Sequence, residues 1–144
     1  MAFVLVDKLS MNELTPVLLV EQIEPCLPFW VDRLGFQKIS EVADGNRLGF
    51  VILAKAGVQI MYQTRLSAAK DIGVTSDKEL VDGPLNPRKD AVILYIHVEE
   101  LDLIIDALKG VAVVVPKRKT SYGATEYGVR EPGGTVILFA EFAY

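Results

Sequence analysis

The sequence predicts an α+β protein made of two tandem βαβββ modules, and three observations predict it. The order strand, helix, strand, strand, strand can be read twice along the chain. Each reading supplies one helix for four strands. Between the two lies a stretch, Thr64 to Asp90, that lacks a steady period and contains Gly73, Gly83, Pro84 and Pro87. One helix covers only one face of a four-stranded sheet, so the other face needs a partner. Two curved mixed sheets arranged around a cleft meet that need, and a cleft is where small ligands are usually held.

In the first module, Leu14 to Val20 is a short apolar run rich in β-branched residues and reads as a strand buried on both faces. The prolines of Glu21 to Pro28 suit a turn and the first turn of a helix. The helix continues through Phe29 to Leu34, with Leu27, Trp30, Val31 and Leu34 on one face, and stops at Gly35, which takes a left-handed C′ conformation without steric cost. Strands are expected at Phe36 to Val42, Arg47 to Ala54 and Gly57 to Gln63, joined by Asp44-Gly45-Asn46 and Lys55-Ala56-Gly57. The connector has a candidate short helix around Thr75 to Leu80. In the second module the strand is Ala91 to Val98 and the helix Glu99 to Lys109, where Leu101, Ile104, Ile105 and Leu108 recur at helical spacing before Gly110. Val111 to Pro116, Glu126 to Arg130 and Thr135 to Ala143 complete it. The expected division is one domain over residues 1–144, with module one about 1–66, a connector about 67–89 and module two about 90–144.

Composition narrows the function classes. A chain of 144 residues, 51% hydrophobic with a net charge of −4, is expected to form one compact core. No apolar stretch approaches the roughly 20 residues of a membrane-spanning helix, and the opening Met-Ala-Phe-Val-Leu-Val-Asp is charged too early for a signal peptide, so a cytoplasmic protein is expected. The single Cys26 excludes an internal disulfide or a cysteine metal cluster and reads as a buried thiol. Nucleic acid is disfavoured as a partner because Lys117-Arg118-Lys119 is the one basic run, read as a solvated loop, while the acidic balance favours cationic ligands.

Two segments carry a family resemblance. Phe29-Trp30-Val31-Asp32-Arg33-Leu34-Gly35-Phe36 resembles the helix-to-strand segment of vicinal oxygen chelate proteins, the glyoxalase and bleomycin-resistance superfamily. Tyr122 to Gly134 resembles the closing hairpin of the same family, with Glu131 where aspartate is usual, and Tyr95 to Asp102 also fits. The resemblance implies a divalent metal held by His, Glu or Gln from four strands. Carried onto this sequence, those positions fall on Thr15, on Gln59 or Ile60, on Ile93 and on Leu138. Thr15, Ile93 and Leu138 cannot assemble a tight site, so no metal, no cofactor and no catalytic residue is expected. Glu141, three residues beyond Leu138, should point to the opposite face, solvated or at an interface.

Metal-free members of the family include bleomycin-resistance proteins, homodimers that sequester a bulky cationic heteroaromatic compound in clefts shared between subunits. The resemblance to them implies a homodimer that captures a small aromatic ligand. Its expected contacts are Gln59, Met61, Tyr95, His97, Tyr127 and Leu138, with Ala140, Phe142 and Gln63 on the same walls. Aromatic rings stack on planar ligands, glutamine and histidine orient them, and methionine adapts to their outline. For each there is a structural alternative: Tyr95, Met61 and Phe142 as core, Tyr122 and Tyr127 as ordinary hairpin tyrosines, His97 as a satisfied strand residue, and Trp30 as core in preference to site. Two other functions stay open. One is a lyase or dioxygenase-like enzyme with a non-standard site using Gln59, His97 and a carboxylate such as Glu126, and the other is a non-catalytic scaffold with an occluded cleft.

Overall fold

The computed structural model describes residues 8–73 and 92–143. A first sheet contains β1 (Val17–Val20), β2 (Gln37–Asp44), β3 (Arg47–Lys55) and β4 (Val58–Thr64) in the order β1-β4-β3-β2. A second repeats the plan with β5 (Ile93–His97), β6 (Val113–Lys119), β7 (Ala124–Arg130) and β8 (Val136–Phe142) in the order β5-β8-β7-β6. In each, the first and last strands of the module run parallel and the other pairs antiparallel. The helix of the first module is α1 (Pro28–Arg33), preceded by a tight 3-10 turn at Glu24–Cys26. That of the second is α3 (Leu101–Ala107). The α+β class and both βαβββ modules are therefore present.

Local chemistry explains the helix ends. α1 is wound wider than an α-helix, as a π-helix, with Pro28 in its first turn, where a missing N–H costs nothing. Gly35 closes it at φ 77°, and Lys55 Nζ reaches from the β3–β4 turn to donate to the otherwise orphaned Leu34 carbonyl at 2.6 Å. At α3 the free N–H of Leu101 donates to Glu141 Oε1 at 2.8 Å, so a β8 side chain serves as the helix cap. Glu141 thus does point away from Leu138, and its role is capping.

Four expectations need correction or restriction. β1 begins at Val17 and is an edge strand: pairing with β4 alone leaves Val17 47% exposed, so it is not buried on both faces. The segment read as connector opens with α2 (Arg65–Ile72), capped by Thr64 Oγ1 accepting from Ser67 N–H at 3.1 Å and ended by Gly73 at φ 77°. The helix expected around Thr75 to Leu80 lies outside the described residues. Finally, Lys117-Arg118-Lys119 belongs to β6 and is no loop. Pro116 sits inside this strand, which is tolerated because β6 is an edge and its register with β7 shifts between Val115 and Arg118.

The core sits between the modules. Phe29, Trp30 and Leu34 of the α1 segment, Val51, Leu53, Ile60 and Tyr62 of the first sheet, and Leu101, Leu108, Val129, Ile137 and Phe139 of the second module form one buried cluster. Both sheets enter it through the face their helix covers. Cys26, fully buried as expected, lies at this seam: a Cβ on Gly133 would stand 3.0 Å from its Sγ. The seam also has a polar spine, in which Trp30 Nε1 donates to Tyr62 Oη at 2.9 Å and Tyr62 donates to Glu131 Oε2 at 2.8 Å. Glu131 further accepts the N–H groups of Gly133 and Thr135, so one buried carboxylate closes the β7–β8 hairpin and ties it to the first module.

Candidate functional site

Because the helix-covered faces share the core, each sheet keeps an open face on its other side, and strand alternation decides what stands there. On the first sheet Gln59, Met61 and Gln63 of β4 stand opposite Ala54, Ile52 and Phe50 of β3, all partly buried. Ile60 is on the core side, 2% exposed, which settles the facing of β4 in favour of Gln59.

On the second sheet two rows cross the open face. Tyr95 pairs with Leu138, Leu138 with Gly128, and Gly128 with Val115; His97 pairs with Ala140, Ala140 with Glu126, and Glu126 with Arg118. Gly128 fits because a Cβ there would come within 3.0 Å of Leu138 Cδ1 and 3.1 Å of Val115 Cβ. At the end of the rows the His97 and Phe142 rings meet edge to face with centroids 5.0 Å apart, and Tyr122 lies 6.5 Å from Phe142. His97 also borders a groove of about 370 Å³ at the module seam, lined on the other side by Leu34, Phe36 and Lys55.

The chemical centre of this face is Glu126, which solvent does not touch. Its Oε2 accepts from the hydroxyls of Tyr95, at 2.8 Å, and of Tyr122; its Oε1 accepts from Arg118 Nε at 3.2 Å and Nη2 at 3.0 Å. The Tyr122 hydrogen bond is the largest influence and, with those of Tyr95 and Arg118, holds the carboxyl below its ordinary 4.5 despite desolvation. Tyr95 is pushed the other way, above its usual 10.0, by desolvation first and then by its bond to Glu126, so it remains a neutral phenol.

Of the six expected ligand contacts, then, Tyr95, His97 and Leu138 share one open face and Gln59 and Met61 share the other. Tyr127 joins neither: it pairs with Phe139 and packs on the core from the helix side. Strand parity places it there, one residue out of phase with Glu126. Tyr122 and Arg118 complete a cluster that the sequence reading does not assemble. Tyr122 reaches it from the β6–β7 turn, and the Arg118 pairing depends on a register that follows a bulge.

No protein-family model matches this chain, and no curated protein does. Solved structures do. A glyoxalase/bleomycin resistance protein/dioxygenase from Nocardioides superposes with a TM-score of 0.68 at 15% identity, over 98% of this chain and 90% of its own. A protein of unknown function from Agrobacterium tumefaciens gives 0.69 at 22% identity, over 96% and 99%. A glyoxalase-related enzyme from Fulvimarina pelagi gives 0.64 at 14%, over 91% and 88%. This chain has the vicinal oxygen chelate fold.

Within a vicinal oxygen chelate fold the four positions implied by the resemblance can be located. Thr15 is half-buried just before β1, Gln59 is on the first open face, and Ile93 and Leu138 are on the second. Ile93 and Leu138 offer hydrocarbon alone, so this donor set does not fit a divalent ion. Among the described residues, no three His, Cys, Asp or Glu side chains stand close enough to share one. Nor is any described helix long and apolar enough to cross a membrane.

Proposed function

We propose that this protein binds and sequesters a small aromatic ligand without a metal, in the cytoplasm and as a homodimer. The observation that carries the reading is the open face of the second sheet, where Tyr95, His97, Leu138, Phe142 and Tyr122 surround a polar centre at Glu126. Rings at several angles around one fixed polar group suit a planar molecule that is both stacked and oriented. The acidic net charge of −4 supports a cationic or neutral ligand over an anion. Glu126, with all its acceptor positions filled and its pKa held low, is a poor general base, which argues against the enzymatic alternative.

Both open faces carry exposed apolar side chains, Val17 and Val42 on the first sheet and Ile93, 60% exposed, and Tyr95 on the second. A second copy that set its first sheet over this one's second sheet would cover them and bring Gln59 and Met61 to the same ligand.

Two measurements on chelator-treated protein test the reading together. Calorimetry with nickel, zinc, manganese and iron should give no binding tighter than micromolar. Ligand-observed NMR against a panel of planar aromatic cations should find saturable binding with no chemical change in the ligand. Tight stoichiometric metal uptake, or turnover, would return the protein to the metal-dependent enzymes.

A further inference from the structure

We infer that Glu126 is a positioning residue that turns Tyr95 and Tyr122 into a pair of hydrogen-bond acceptors, so the ligand of this face is one that presents N–H donors, with amidinium and ammonium groups preferred over carboxylates. The inference rests on the ligand-binding reading above and adds what the ligand must offer.

A carboxylate has about four acceptor positions, and those of Glu126 are filled by two phenol hydroxyls on Oε2 and two guanidinium N–H groups on Oε1. Each phenol has one proton, and each hydroxyl stands in donating position to Glu126 Oε2. What remains on Tyr95 and Tyr122 is therefore lone pairs. Both tyrosines are exposed on the open face, as is Arg118, whereas Glu126 is fully covered. Arg118 balances the charge, with Nε and Nη2 engaged on Glu126, so the centre is neutral in sum and its two phenols are accepting towards the ligand.

Ionisation of Tyr95 is opposed first by desolvation and then by the carboxylate beside it, which raise its pKa above the ordinary 10.0. An anion meeting the pair would face lone pairs with no proton to offer. Its one remaining attraction would be the outer edge of Arg118.

Three isosteric probes separate these cases: benzamidine, benzamide and benzoate, titrated by ligand-observed NMR against the full chain and against Tyr95→Phe, Tyr122→Phe and Glu126→Gln. The unsubstituted protein should prefer benzamidine to benzoate by about tenfold or more, the size of one hydrogen bond to a charged group. Each Tyr→Phe change should weaken benzamidine several-fold, on the order of one lost hydrogen bond, and leave benzoate unchanged. Glu126→Gln should erase the preference, because the amide loses the negative charge and turns an N–H₂ donor either towards the two phenols or towards Arg118. Far-UV circular dichroism accompanies each variant, and the two Tyr→Phe changes keep the ring, so they decide the matter even where Glu126→Gln does not fold. Equal binding of benzoate and benzamidine, or a preference untouched by both Tyr→Phe changes, overturns the inference while leaving aromatic binding intact. Failure of all three probes to bind overturns the ligand-binding reading and this inference with it.

Discussion

Four hydrogen bonds converge on Glu126 and three on Glu131, yet the two carboxylates have opposite tasks. Glu126 faces a surface meant for something else to touch, and its effect on stability depends on pH. Its folded-state pKa is below the ordinary 4.5, so the stabilisation is present at neutral pH and is lost as pH falls through the folded value. Glu24, which accepts from the Leu48 N–H at 2.7 Å, is shifted in the same direction and contributes with the same sign. Urea midpoints should therefore fall as the solution is acidified below 4.5, with a shallower fall in Glu126→Gln. Glu131 is instead internal, and its oxygens accept two backbone N–H groups and one phenol. Glutamine there would turn an N–H₂ towards one of these donors, at a cost of roughly 1–3 kcal/mol for a buried group left unpaired. Tyr62→Phe should cost a similar amount, since it removes the link between Trp30 and Glu131. Chemical denaturation of the two variants and the double variant would show this as a coupling energy.

At the scale of elements, the strand order and the turns were legible because they rest on local chemistry. Asp44-Gly45-Asn46 and Glu131-Pro132-Gly133-Gly134 mark hairpins wherever they occur, and Gly35 stops a helix by its own φ preference. α2 went unread although its cap and stop, Thr64 and Gly73, are both ordinary signals, because Arg65 to Ile72 carries no clear apolar stripe between them. Of the candidate site, the grouping of Tyr95, His97 and Leu138 followed from alternation within strands. Glu126 was visible only as one carboxylate among several, since its burial comes from Tyr95, at 31 residues' separation, and from Arg118 beyond a bulge. Tyr127 fell on the wrong side for the complementary reason: a one-residue difference in a strand is a change of face. Two substitutions probe the elements directly. Glu141→Ala should destabilise by about 1 kcal/mol through loss of the α3 cap. Gly128→Ala should cost roughly 1–3 kcal/mol by overpacking against Leu138 and Val115, both read from thermal or urea unfolding.

For the whole molecule, a single buried cluster spanning both modules implies that neither half is a separate unit of stability. Unfolding followed by circular dichroism and by the fluorescence of Trp30, which is fully buried at the seam, should give one coincident transition. The open faces instead carry exposed apolar side chains beside their polar groups, and analytical ultracentrifugation should find a dimer that weakens when Ile93 and Val17 are replaced by lysine. If the dimer forms face to face, the ligand site and the subunit contact are the same surface. Ligand and subunit association would then be linked, each strengthening the other by the same factor.

Cys26 gives the molecule a built-in clock. Its thiol has no path to solvent while Gly133 and the β7–β8 hairpin cover it, so a thiol reagent can reach it only during the moments when the modules part. The rate at which this one cysteine becomes labelled is therefore a count of seam openings, obtained without adding any probe to the chain. Loosening the Tyr62 to Glu131 tie should speed that clock, and changes on the open face of the second sheet should leave it running at its original pace.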